Sequence, residues 1–400
     1  MPAHLSRPVL TLCAAEGLAL IGVFAFPALL PTFKAEWSLS NAEAGWIAGV
    51  YFLGYALAVP VLSSLTDRID AKKVVLAGSL VCALSAAGFA LVAGGALSAM
   101  AFRALGGIGL AGVYMPGLKA LVDRERGEGQ TRAMSYYTAC FSLGTMLSFL
   151  VIGEAGERLG WRAAFLLASA TALGAALLVA TLSPASPDRP ETAGGLLDFR
   201  PVLRNRAAMG YILGYVCHMW ELFTFRAWMV AFLVFAQSRS GGGGWSPTTV
   251  ATLCSAIAMA ASIGGADLAL RFERRRLCAI AMLASGGMAL LLGLSAELPY
   301  GLAIAAAVLY TALVQLDSAA LTTGAMLEAD AGRRGATVAL HSLLGFSSAF
   351  FGPLAQGALL DHLGGAGRLW AWVVAFAVMG AVGLAGPAAL AWGRRPSGAA

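Results

Sequence analysis

Twelve long apolar runs, separated by short polar or charged stretches, account for most of this sequence: residues 8–33, 42–65, 74–93, 97–121, 132–153, 161–182, 208–236, 248–270, 277–296, 299–325, 335–359 and 369–392. A helix advances about 1.5 Å per residue, so runs of this length cross about 30 Å of hydrocarbon, some of them tilted. No run shows the ten-residue apolar–polar alternation of a membrane barrel. Only 12% of residues are charged against 59% hydrophobic, about half the charge of a soluble domain. The pattern predicts an all-α integral membrane protein of twelve transmembrane helices, its first run too long for a signal-peptide core and therefore retained.

The formal charge of +6 is explained by topology and not by nucleic acid, because no segment is long and polar enough to form a basic soluble face. With both termini cytoplasmic, twenty Lys and Arg fall on the inner side and five (Lys34, Arg158, Arg162, Arg239, Arg368) on the outer; Arg103 and Arg226 lie within spans. That asymmetry satisfies the positive-inside rule, and an odd number of spans would spoil it. The long polar connection after Ser183 predicts a six-helix bundle at 1–182, a cytoplasmic linker at 183–207 and a second six-helix bundle at 208–400. A faint repeat supports two matching halves: Arg68-Ile69-Asp70-Ala71-Lys72-Lys73 returns 203 residues later as Arg271-Phe272-Glu273-Arg274-Arg275-Arg276. The six cysteines lie inside apolar runs without metal-ligand spacing and read as small hydrophobes. No metal and no cofactor is expected.

The loop Ser63-Ser64-Leu65-Thr66-Asp67-Arg68-Ile69-Asp70-Ala71-Lys72-Lys73, at the inner end of the second run, resembles the signature loop of the major facilitator superfamily (MFS), with Ser63 and Asp70 where that family has glycine. Arg103-Ala104-Leu105-Gly106-Gly107-Ile108-Gly109 in the fourth run is similar to the family's Arg-x-x-x-Gly-x-Gly, and Gly160-Trp161-Arg162 before the sixth run is also typical. The Gly-Pro pair that the family's antiporters carry in run five is replaced by Gly144-Thr145. The resemblance implies an alternating-access secondary transporter whose runs one, four, seven and ten line a central path. It further implies a gating loop in which Asp67 complements a helix N-terminus and Arg68 or Lys72 pairs with an acid such as Asp123; alternatively, these charges only set topology.

An ionisable group at mid-membrane costs about 2.5–3.5 kcal/mol on the insertion scale, so each one calls for a reason. Seven stand out: Glu16, Arg103, His218, Glu221, Arg226, Asp317 and His341. The first six fall in runs one, four, seven and ten and are the candidates for proton coupling or solute binding; His341 reads as a structural, hydrogen-bonded histidine. His218 and Glu221, three residues apart, share a helix face, and a desolvated imidazole–carboxylate pair has coupled titrations suited to proton coupling. The alternative is a structural pair holding run seven to a neighbour. Arg226 turns about 140° away from Glu221. Arg103 resembles the family's proton-relay arginine, with snorkelling to the outer interface as the competing reading. Asp317 and Gln315 give run ten a polar strip that suits either solute contact or structural pairing. The glycines of run four suit close helix packing and not phosphate binding, since no P-loop lysine accompanies them.

The sequence therefore predicts a non-enzymatic, proton-coupled carrier in the bacterial inner membrane, working as a monomer in the lipid bilayer on a small organic solute, polar or anionic. A multidrug–proton antiporter, an integral-membrane enzyme and a receptor-like sensor are the rival classes.

Overall fold

The computed structural model describes residues 6–125, 129–185 and 198–394. The chain divides into two compact units, Met1–Phe33 with Val50–Glu191, and Lys34–Gly49 with Thr192–Ala400. Much of the expected linker, residues 186–197, lies outside the described residues.

In chain order up to the linker the helices are α1 (Arg7–Leu20), α2 (Ala25–Ala28), α3 (Leu30–Glu36), α4 (Asn41–Leu65), α5 (Ala71–Val92), α6 (Ala96–Val122), α7 (Gly129–Leu159) and α8 (Trp161–Ala180). After it follow α9 (Arg200–Arg204), α10 (Arg206–Arg239), α11 (Pro247–Arg271), α12 (Arg274–Leu294), α13 (Tyr300–Gln315), α14 (Ser318–Leu327), α15 (Arg334–His362), α16 (Leu369–Gly383) and α17 (Ala385–Trp392). Among the described residues eleven helical segments are long and apolar enough to span a bilayer. The first apolar run supplies the twelfth crossing as a broken helix, α1 to α3.

Short side chains at the helix entries account for the boundaries. Asn205 accepts from the amide of Ala208 and Ser246 from that of Thr249, satisfying donors that the first helical turn leaves open. The repeat seen in the sequence has a structural meaning of the same kind. Asp70 caps α5 by accepting from Lys72 N, and Glu273, its counterpart 203 positions on, caps α12 by accepting from Arg275 N and Arg276 N. The basic residue two positions later does the same work in each copy. Lys72 Nζ donates to Ala180 O at 2.9 Å and to Leu182 O, at and just past the end of α8, and Arg275 Nη1 donates to Leu390 O in α17 at 2.9 Å.

Small residues let the helices of the first unit approach closely. A Cβ on Gly107 would lie 1.7 Å from Tyr51 O, so α6 and α4 touch backbone to backbone there, and a Cβ on Gly78 would lie 2.7 Å from Gly109 O, which brings α5 in as well. Lys34–Gly49 group with the second unit because Asp361 in α15 accepts from Asn41 N (3.0 Å), Asn41 Nδ2 (2.7 Å) and Ala42 N (2.8 Å) at the start of α4. Trp46 also packs edge-on against Phe350.

Candidate functional site

Three spans are broken in mid-course, run one in the first unit and runs ten and twelve in the second, and buried polar side chains collect at the breaks in runs one and ten. In the first unit α1 stops at Leu20 and the chain turns through Ile21–Phe24 before α2 begins. Freed backbone groups there are met by two side chains. Arg103 on α6 donates from Nη2 to Val23 O (2.9 Å) and from Nη1 to Gly22 O (3.3 Å), with its guanidinium 4.2 Å from the centre of the Tyr51 ring. Ser148 on α7 donates to Ile21 O at 2.7 Å and accepts from Phe24 N at 3.0 Å. Arg103 is thus buried, 3% exposed, and does not snorkel. Glu16, one turn before the break, is also buried, and among the described residues neither of its carboxyl oxygens has a hydrogen-bond partner.

In the second unit the break in run ten falls between α13 and α14, at Leu316 and Asp317. Asp317 Oδ1 lies 2.7 Å from His218 Nδ1 on α10, both side chains almost wholly buried, in a close contact that is not an aligned hydrogen bond. Tyr215, one turn before His218, sets its ring nearly parallel to that imidazole at 5.8 Å. The opposite face of the cluster is His341 on α15, stacked with Tyr215 at 3.8 Å, its Nε2 3.2 Å from Thr322 Oγ1. Gly345, one turn beyond His341, makes the stack possible, because a Cβ there would fall 2.4 Å from Tyr215 Cε1.

The six residues proposed from the sequence therefore separate. His218 meets Asp317 and not Glu221. Glu221 instead accepts from Ser285 Oγ on α12 (3.1 Å) and Tyr310 Oη on α13 (3.3 Å), against a face of α16 kept clear by Gly383. Arg226 is buried with its guanidinium 5.5 Å from the Phe223 ring. Glu16 and Arg103 do not pair. His341, read from the sequence as structural, joins the His218 cluster through Tyr215.

The signature loop also differs from the expected arrangement. Asp123 pairs with Lys119, four residues before it on the same helix, and not with Arg68 or Lys72. Among the described residues the side chains of Asp67 and Arg68 make no hydrogen bond or ion pair. The organising acid is Asp70, which besides capping α5 receives Arg124 Nη2 on both oxygens (2.9 and 3.0 Å) and the amide of Ala185 (2.9 Å). Arg124 in turn donates to Ser183 O at 2.9 Å, tying the start of the linker to the loop. Burial works to raise the Asp70 pKa, but the hydrogen bonds from Ala185, Arg124 and Lys72 outweigh it and hold the carboxyl below its ordinary value. Sequence reading missed this role, and the signal that could have found it is the preference of helix N-caps for aspartate.

Comparison with known proteins agrees with this architecture. Over 152 residues the chain is 28% identical to the niacin transporter NiaP of Acinetobacter baylyi, covering 38% of this chain and 34% of that protein. Over 168 residues it is 32% identical to the multidrug efflux pump LfrA of Mycolicibacterium smegmatis, covering 40% of this chain and 32% of that one. Over 243 residues it is 26% identical to a voltage-gated purine nucleotide uniporter of Mus musculus, covering 55% and 52%. The matches thus span about a third to a half of these relatives' own lengths. A bacterial homologue of the human lysosomal transporter Spinster superposes with a TM-score of 0.75 at 17% identity, over 96% of this chain and 94% of that one. The nucleoside transporter NupG does so with a TM-score of 0.77 at 13% identity, over 97% and 100%. The family profile described as Major Facilitator Superfamily matches residues 12–353, and the chain therefore belongs to the major facilitator superfamily of membrane transporters.

Proposed function

We propose that the chain is a proton-coupled secondary transporter that carries a small polar organic solute by alternating access. The observation that supports this most is the His218–Asp317 contact at 2.7 Å, a buried imidazole and carboxylate at the break of a span. A base and an acid held this close exchange a proton with little rearrangement, and burial makes the uncompensated charge of either one costly, so proton binding and local conformation are linked. Discontinuous membrane helices are where transporters place solute and coupling ions. The excess of Lys and Arg on alternate loops supports a bacterial inner membrane with both termini in the cytoplasm, and the chain works as a monomer. Of the two buried arginines, Arg103 is engaged by Gly22 O, Val23 O and the Tyr51 ring, so this reading gives it no part in binding solute.

Reconstitution in liposomes tests the reading. Under an imposed pH gradient the wild-type chain drives counterflow of a pooled set of labelled solutes, whereas Asp317→Asn and His218→Gln exchange solute without responding to the gradient. Gradient-driven accumulation by Asp317→Asn at the wild-type level refutes proton coupling at this pair. A second reading, multidrug–proton antiport, is favoured by the likeness to LfrA and predicts resistance to several unrelated lipophilic cations on overexpression.

A further inference from the structure

If the buried cluster of the second unit is where solute and proton meet, as proposed above, its hydrogen-bonding chemistry also selects the solute. The state of His341 follows from its neighbours. Thr322 Oγ1 donates its one hydrogen to Ser318 O at 3.2 Å, so towards His341 Nε2, 3.2 Å away, the hydroxyl oxygen acts as an acceptor. With the hydroxyl hydrogen on Ser318 O, Nε2 is the donor of the imidazole and Nδ1 its acceptor. That acceptor is buried and has no partner among the described residues. An unpaired buried acceptor costs about as much as a lost hydrogen bond, so the position is built for a donor that arrives from outside.

Other open atoms in the same stretch have the same character. Gln315, on the last turn before the break, has an unpartnered side-chain carbonyl oxygen, and Asp317 Oδ1 receives no aligned hydrogen bond. Among the described residues His218 Nε2 is also buried without a partner inside the cluster, whereas the unpartnered indole and amide donors of this unit lie elsewhere. Trp220 Nε1 is two residues from His218 and so on the far side of α10, and Gln356 Nε2 is fifteen residues along α15 from His341, about 22 Å at the helical rise. Arg226, two turns beyond His218, holds its guanidinium near the Phe223 ring.

We propose that the Thr322 hydroxyl gives its hydrogen to Ser318 O, that His341 Nδ1 is therefore a solute-binding acceptor, and that the second unit takes a solute there through an N–H or O–H donor, as an amine, amidine, amide or polyol presents. Tyr215 has a supporting part: its ring lies flat against the imidazole at 3.8 Å and holds the Nδ1 edge in one orientation.

Two measurements on the purified full-length chain in lipid nanodiscs test this. The first is 15N NMR of histidine-labelled protein, with the signals of the four histidines assigned by single substitutions. A neutral His341 with hydrogen on Nε2 and a bare Nδ1 is expected; hydrogen on Nδ1 at neutral pH overturns the proposal whatever the solute. The second compares benzamidine, benzamide and benzoate, three probes with one ring and different donor sets, together with a panel of amines and polyols, by thermal shift. Donor-bearing probes should bind about tenfold more tightly than benzoate, the worth of one buried hydrogen bond. His341→Phe, whose ring can keep the stack on Tyr215 but has no acceptor, should abolish that difference, with melting without solute recorded as the control for folding. Benzoate binding equal to benzamidine, no binding by any donor in the panel, or donor binding unchanged in a folded His341→Phe overturns it. Proton coupling fails separately, through Asp317→Asn in the gradient assay, which none of these outcomes predicts.

Discussion

The broken spans of runs one and ten meet the same physical problem with opposite chemistry. A break exposes backbone groups in a region without water, and each must find a partner or cost several kcal/mol. At Ile21–Phe24 the partners are Arg103 and Ser148, a permanent cation and a neutral hydroxyl. Neither changes protonation in the physiological range, so that break is a fixed structural joint. At Leu316–Asp317 the side chain at the break is itself an acid, set against an imidazole, and the neighbouring His341 Nδ1 is buried without a partner among the described residues. On the proposed reading the first break is held by groups that do not titrate and the second by groups that do, while the first unit keeps a buried acid of its own, Glu16, a turn before its break. Pseudo-symmetric halves then divide the work unequally.

That contrast sets up two substitutions with opposite consequences. Arg103→Met removes two charge-assisted hydrogen bonds and leaves two buried carbonyls open; at about 1.5–3 kcal/mol per bond, less what is regained by not burying a guanidinium, the cost is about 3 kcal/mol. It should appear as a marked fall in melting temperature in detergent, with the surviving protein still responding to a pH gradient. Asp317→Asn should do the reverse, keeping melting within about 1 kcal/mol of wild type, since an amide of equal size replaces the carboxyl and no aligned hydrogen bond is lost. Its gradient response should vanish. If both variants lose stability alike, or both lose coupling alike, the two breaks are not different in kind.

How far the sequence reached follows the same line. Span number and position were legible because length and hydropathy decide them: run seven, read as 208–236, is α10 at Arg206–Arg239. The break in run ten was not legible, since no glycine or proline marks Leu316–Asp317, and the break in run one came with Pro27 and Pro31 only beyond it. Every ionisable residue of the second unit's cluster was visible as an expensive buried charge, but its partner was not. Spacing within α10 suggested His218 with Glu221, whereas Asp317 lies 99 positions away in sequence, and tertiary packing turned the two α10 side chains to different neighbours. Asp70 read as a departure from a glycine pattern, although its place directly before α5 gave it a capping role that the fold then uses twice.

Close packing offers a milder probe of the same difference. Gly345 faces Tyr215 with a would-be Cβ at 2.4 Å, and Gly144 faces Leu20 with one at 2.5 Å, so alanine at either site overpacks by a similar amount, about 1–3 kcal/mol. In the first unit Gly144→Ala presses α7 against α1 and should register in melting alone. In the second, Gly345→Ala must displace the ring that orders His341, and should weaken solute-induced thermal shifts beyond what its melting change explains. Equal effects of the two alanines on solute response would mean that the Tyr215 stack has no part in binding.

The smallest contrast lies at the repeated caps. Asp70 holds Arg124 with both oxygens, largely out of solvent, whereas Glu273 meets Arg394 only at 3.8 Å with both side chains more than half exposed. Exposed pairs contribute about 0–1 kcal/mol, and losing a cap costs about 0.5–2 kcal/mol. Asp70→Asn should therefore cost about 1–2 kcal/mol, and Glu273→Gln less than 1 kcal/mol. The Asp70 carboxyl titrates below its ordinary value in the folded chain, so its contribution is complete above about pH 4, the unfolded value. It is lost as the pH falls through the lower, folded value. Melting temperatures recorded from pH 7 down to pH 3 should begin to draw together for wild type and Asp70→Asn below about pH 4. A gap between them that stays constant over that range would show that Asp70 holds the loop by shape and not by charge.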